Sequence, residues 1–150
     1  MNDLSPEINR KFGLNITDFI TEPDGKQYNA CQFKIDGRLV ICRTAKITPK
    51  KIGQFVSFWK RNSMGKIRPF SEEDDFNFYF VYVNKDGRTG RFFFPKSILI
   101  AHGIVSTLSK DGKRGFRVYP IWDTTTTKQA KKTQQWQLKY FYETQQTADL

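Results

Sequence analysis

The chain has 150 residues, with 25 Lys and Arg against 15 Asp and Glu, a net charge of +10 at pH 7. Apolar residues make up 38%, too many for a disordered polyelectrolyte, and the length fits one domain, residues 1–150, with a core over about residues 20–142. No run approaches the roughly 20 apolar residues of a membrane span, the N-terminal stretch lacks a signal-peptide pattern, and Cys31 and Cys42 read as reduced thiols, so a cytoplasmic protein is expected.

In chain order, Ser5-Pro6-Glu7 is a helix start, and residues 1–27 are otherwise polar with scattered apolar anchors. Pro23-Asp24-Gly25 reads as a turn. Tyr28–Ile35 and Leu39–Ala45 flank Asp36-Gly37, a hairpin signal; the pattern predicts one apolar face and one more accessible polar face. Thr48-Pro49 then predicts a helix, because a hydroxyl cap precedes Pro and because Ile52, Phe55, Val56 and Trp59 recur at helical spacing. Trp59, which completes that stripe, is expected to be buried. Lys50 and Lys51 would then sit at the positive end of the helix dipole, where a phosphate would compensate them.

Phe76–Val83 and Arg88–Phe94 flank a second turn, Asn84-Lys85-Asp86-Gly87; the first arm is apolar on both faces, as a covered central strand is. Ile98–Gly103 reads as a short helix stopped by glycine. Ile104–Leu108 and Gly115–Tyr119 read as strands, and Lys128–Tyr142 as a helix preceded by several possible caps. The whole is an α/β (α+β) pattern, a mixed or antiparallel sheet of hairpins flanked by helices.

Charge is segregated along the chain. Gly37–Ser71 contains no acid and carries Arg38, Arg43, Lys46, Lys50, Lys51, Lys60, Arg61, Lys66 and Arg68, a balance of +9. Lys110–Lys139 adds a second basic segment of +6, which includes Lys113, Arg114, Arg117 and Lys132. Like charges concentrated in this way repel unless an anion relieves them, which points to a polyanion-binding face.

No Walker A loop, GxGxxG or GxSxG is present, and the lone His102 does not support a histidine-rich zinc site. A metal-dependent phosphodiesterase needs carboxylates for Mg²⁺ or Mn²⁺ and often a lysine to activate water. Candidate residues are Glu22, Asp36, Asp74 and Asp75 with Lys34 or Lys46. Gln32-Phe33-Lys34 has the spacing of the Glu-x-Lys of restriction-endonuclease-like cores, but Gln32 lacks the charge a metal ligand supplies.

The run from Arg43 through Thr48-Pro49-Lys50-Lys51-Ile52-Gly53-Gln54-Phe55-Val56, followed by Phe58-Trp59-Lys60-Arg61, resembles the MepB family of small bacterial proteins. So do Phe93-Phe94-Pro95-Lys96, Gly112–Pro120 and Lys132-Thr133-Gln134-Gln135-Trp136-Gln137. The resemblance implies a fold similar to the restriction-endonuclease-like core and a role in binding DNA. It carries Lys46, Lys50, Lys51, Lys60, Arg61, Lys96, Lys113, Arg114, Arg117 and Lys132 over as functional, with Arg43 in the same basic run.

The first functional expectation is a binder of nucleic acid, double-stranded DNA in particular, acting through this basic surface without a cofactor. The alternative in a second class is a Mg²⁺- or Mn²⁺-dependent nuclease using Glu22, Gln32, Lys34 and Asp74 or Asp75. A third is a basic module that docks on an acidic protein.

Overall fold

The structure, a computed structural model, describes residues 15–144; the helix start expected at Ser5-Pro6-Glu7 lies outside them. The described strands are β1 (Ile16–Thr21), β2 (Cys31–Ile35), β3 (Arg38–Thr44), β4 (Lys46–Ile47), β5 (Gln54–Ser57), β6 (Trp59–Arg61), β7 (Ile67–Pro69), β8 (Phe78–Lys85), β9 (Arg88–Pro95), β10 (Gly115–Val118) and β11 (Phe141–Glu143). Helix α1 (Lys96–Ala101) follows β9, and α2 (Lys128–Gln137) follows β10.

The Asp-Gly pairs at 36–37 and 86–87 make the tight turns their chemistry suits. Asp36 and Gly37 have φ of 51° and 77°, and Asp86 and Gly87 51° and 83°, the paired left-handed conformation of a type I′ hairpin. The hairpins β2–β3 and β8–β9 join through a parallel β3–β8 pairing, giving a mixed six-stranded sheet of order β1-β2-β3-β8-β9-β11. A three-stranded sheet, β10-β5-β4, and the two-stranded ribbon β6–β7 complete the strands.

Strand β8 sits inside the large sheet and is apolar on both sides because both faces are covered. Tyr79, Val81 and Val83 join Phe92, Phe94, Leu99, Val56, Phe58, Phe116 and Val118 in the main core, between the large and small sheets. Phe80 joins Ile16, Phe33, Val40 and the two cysteines on the opposite face. Phe58 links the layers, stacking on Tyr79 at 4.0 Å and on Phe70 at 4.4 Å between ring centroids. Tyr79 also donates its hydroxyl to the Ser57 carbonyl at 2.7 Å. Cys31 and Cys42 are free and buried, directly opposite each other on β2 and β3. A hydrogen bond with the neighbouring Cys31 thiol, and then burial, push the Cys42 thiol up, so it stays protonated. No described helix is long and apolar enough to cross a membrane.

Five local expectations are corrected, one of them in part. The helix from Thr48 does not form: the segment is the turn between β4 and β5, followed by β5 and β6. Its helical stripe competes with an alternation in which Gln54, Val56 and Phe58 are buried, and pairing with β10 favours the strand. The polar Gln54 hid that alternation; its amide is satisfied by the Asn84 carbonyl at 3.2 Å. Trp59 consequently lies half-exposed, with the Arg61 guanidinium 5.4 Å from its ring. The expected polar face of the β2–β3 hairpin is open only in part: Lys34 is exposed and Gln32 half-buried, but Ile41 enters the main core and Arg43 is buried. Ile104–Leu108 is not a strand but a turn with isolated bridges. Finally, α2 ends at Gln137, and Phe141–Glu143 leaves as a strand that pairs with β9.

Candidate nucleic-acid interface

The small sheet joins the two basic segments. Antiparallel register places Lys46 opposite Phe55 on one side and Arg117 opposite Phe55 on the other. The Arg117 guanidinium reaches the Thr48 hydroxyl, and it donates to the Ile52 carbonyl at 3.3 Å. It thereby grips both ends of the turn that carries Pro49, Lys50 and Lys51. Lys46 lies 5.1 Å from the centre of the Tyr28 ring.

That turn has an unusual residue at its bend. Lys50 has φ of 63°, whereas the other non-glycine residues with positive φ among those described are Asp or Asn. The left-handed region suits Gly or Asn after Pro, and a lysine there is strained by about 1–2 kcal/mol. Gly53 follows at φ 83°, where a Cβ would fall 2.7 Å from the Tyr119 ring.

A cleft of about 560 Å³ opens beside this sheet, between β10 and α2, with His102 at the end of α1 on its rim. Lys113, Arg117 and Lys132 line it, as do Gln129, Thr133 and Trp136. Thr127 starts α2 by accepting the Ala130 backbone N–H at 3.0 Å. The first turn of that helix contains no acid, yet Lys128, Lys131 and Lys132 stand in its first half. The helix dipole disfavours cations there, so this mismatch, expected at Lys50 and Lys51, occurs on α2 instead.

Two glutamines fix the cleft walls. Gln137 is buried; its carbonyl accepts the Tyr119 N–H and its amide donates to the Arg117 carbonyl, each at 2.9 Å. One turn earlier, Gln134 donates to the Pro120 and Asp123 carbonyls at 3.0 and 2.9 Å. The pair clamps α2 to the backbone running on from β10. Neither residue is identifiable as a clamp from composition; their spacing of three on a helix is the only signal.

Several cations elsewhere are neutralised. Arg61 bonds Asp24 at 2.9 Å, Arg68 bonds Asp74 at 2.8 Å, Lys85 bonds Asp123 at 3.5 Å and Arg88 bonds Glu143 at 2.8 Å. Lys60 bonds Asp74 at 3.2 Å, and Lys96 donates to the Asp74 backbone carbonyl at 2.5 Å. Arg43 is buried, donating to Glu22 at 3.2 Å and to the Cys42 carbonyl at 2.8 Å. By contrast, no carboxylate among the described residues pairs with Lys46, Lys50, Lys51, Lys113, Arg114, Arg117 or Lys132.

The residues considered for metal chemistry fall into separate groups. Glu22 and Asp74 both face Lys60. Burial pushes the Glu22 carboxyl above its ordinary value, against the pull of Arg43. Asp74 is also partly desolvated, but bonds from Arg68, the Ser71 N–H and Lys60 prevail and lower its pKa to about 2. Gln32 and Lys34 share one face of β2, and no hydrogen bond or ion pair joins them to the acids. Asp36 occupies the hairpin turn and Asp75 is exposed. Among the described residues, no group of three or more His, Cys, Asp or Glu is placed to hold a metal ion.

The model of the MepB-like family matches residues 22–143, which include both basic segments and the cleft between β10 and α2. The chain belongs to the MepB-like family. A solved structure described as the crystal structure of MepB is 32% identical and superimposes with a TM-score of 0.85. The match covers 98% of this chain and 100% of that one. No functionally curated protein matches. In this MepB-like chain the run Arg43 to Arg61 contributes the β4–β5 turn and strand β5, which pairs with β10.

Proposed function

We propose that the protein binds nucleic acid, double-stranded DNA in particular, through the basic surface formed by the β4–β5 turn, β10 and α2. The observation that carries this reading is the Arg117 bridge, which makes one surface of two segments separated by more than fifty residues. Lys46, Lys50, Lys51, Lys113 and Lys132 on that surface have no described carboxylate partner. Arg43, Lys60, Arg61 and Lys96 act instead as framework cations. Phosphate contacts of this kind position a duplex without reading its bases. The parallel β3–β8 pairing within an otherwise antiparallel sheet is compatible with kinship to restriction-endonuclease-like cores.

The test is the salt dependence of binding to a duplex oligonucleotide. Each neutralised phosphate contributes about −0.9 to the slope of log K against log salt, so six contacts give about −5. Substituting Lys50 and Lys51 together by Ala should make the slope shallower by about 2. Binding indifferent to salt between about 50 and 200 mM would overturn the reading.

A further inference from the structure

The cleft between β10 and α2 differs chemically from the open surface around it. Cations line it from both sides, Lys113 and Arg117 at β10 and Lys132 on α2. Beside them stands a series of aromatic rings. Phe94 packs on Trp136 at 5.6 Å between centroids, and His102 lies parallel on Trp136 at 3.9 Å and 6°. The series ends in an exposed ring, because His102 covers Trp136 and nothing described stacks beyond it. Burial and the Lys139 charge hold the imidazole below its ordinary pKa, leaving it uncharged at pH 7.

A volume of about 560 Å³ falls within the range of small-molecule sites. A double helix can lie across the mouth of such a cleft, but only a nucleotide released from its stack can enter. Phosphate oxygens match these cations, and a base continues the ring series on the face of His102. Gln129 and Thr133 supply donors and acceptors between them.

We infer that the cleft receives a single unpaired nucleotide, its phosphate on Lys113, Arg117 and Lys132 and its base stacked on His102, so that the protein prefers a duplex with an unpaired end to a blunt duplex. This rests on the nucleic-acid reading above and specifies which part of the polymer enters the site.

Fluorescence anisotropy with labelled duplex probes carrying equal numbers of phosphates, one blunt and one with a single-stranded overhang, tests it at fixed salt. The overhang probe should bind about tenfold more tightly than the blunt probe, within the range set by one base–aromatic stack. His102→Ala should bring that ratio close to one, while His102→Phe, which keeps a flat ring, should preserve it. Thermal melts of both variants establish that each is folded. Equal affinity of wild type for the two probes, or an unchanged ratio in His102→Ala, overturns the inference and leaves the duplex reading standing. Absence of binding to both probes overturns both.

Discussion

Replacing Asp74 by Asn removes one negative charge from a carboxylate that receives Arg68, Lys60 and the Ser71 N–H. The same residue is a metal-ligand candidate by sequence, so its role is worth separating by measurement. Its pKa falls from 3.8 to about 2, which at about 1.36 kcal/mol per unit bounds the stabilisation near 2.5 kcal/mol. The carboxylate is 13% exposed but Lys60 and Arg68 are 40% and 32% exposed, and solvent screening reduces the figure to about 1–1.5 kcal/mol. A depressed carboxyl pKa means the unfolded chain takes up the proton first. The stabilisation is therefore fully present above pH 3.8 and is lost as pH falls through about 2. Urea unfolding of wild type and Asp74→Asn should differ by about 1–1.5 kcal/mol at pH 7, and the difference should shrink steadily below pH 4. A difference that is absent at pH 7, or that does not change down to pH 2, would refute the clamp.

Other substitutions separate framework from contact surface. Arg43→Leu should destabilise the protein by about 3 kcal/mol, by stranding the Glu22 carboxylate, yet leave the salt slope of duplex binding unchanged. Gln137→Ala should cost about 2–3 kcal/mol in denaturant unfolding, because the Tyr119 N–H and the Arg117 carbonyl both lose their partner. Lys50→Gly should change stability by less than about 1 kcal/mol, since relief of the left-handed strain is offset by backbone entropy, while making the salt slope shallower by about 1. Thr127→Ala should lower stability by about 1 kcal/mol through loss of the α2 cap, read as a lower thermal midpoint.

What could be read from the sequence follows the range of the interactions that decide each element. Asp36-Gly37 and Asp86-Gly87 settle their turns within two residues, and the hairpins around them are legible for that reason. Apolar residues on both sides of β8 likewise announce a covered strand. Strand β1 escapes notice because Asp18, at φ 55°, interrupts its alternation, and the register shifts between Thr17 and Ile20. The Thr48–Trp59 segment fits a helix locally and is decided by β10, about sixty residues away. Arg43 shows the same limit for the site: its place in a basic run marks it as a surface contact, and only Glu22, on another element, explains its burial.

Charge segregation thus points to the proposed interface but does not delimit it. The acid-free stretch from Gly37 to Ser71 contributes cations of two kinds, because its partners are drawn from outside it. Asp24 and Asp74 sit just beyond its ends and fold back onto Arg61, Lys60 and Arg68. The β4–β5 turn receives no such acid; it is held by Arg117, another cation. Using a guanidinium to fix a turn that carries two lysines raises the local positive potential instead of relieving it. That arrangement costs stability in the free protein, and a bound polyanion would remove the cost. The net charge of +10 therefore matters less than this one junction, where three cations from the two basic segments are brought together without an acid between them.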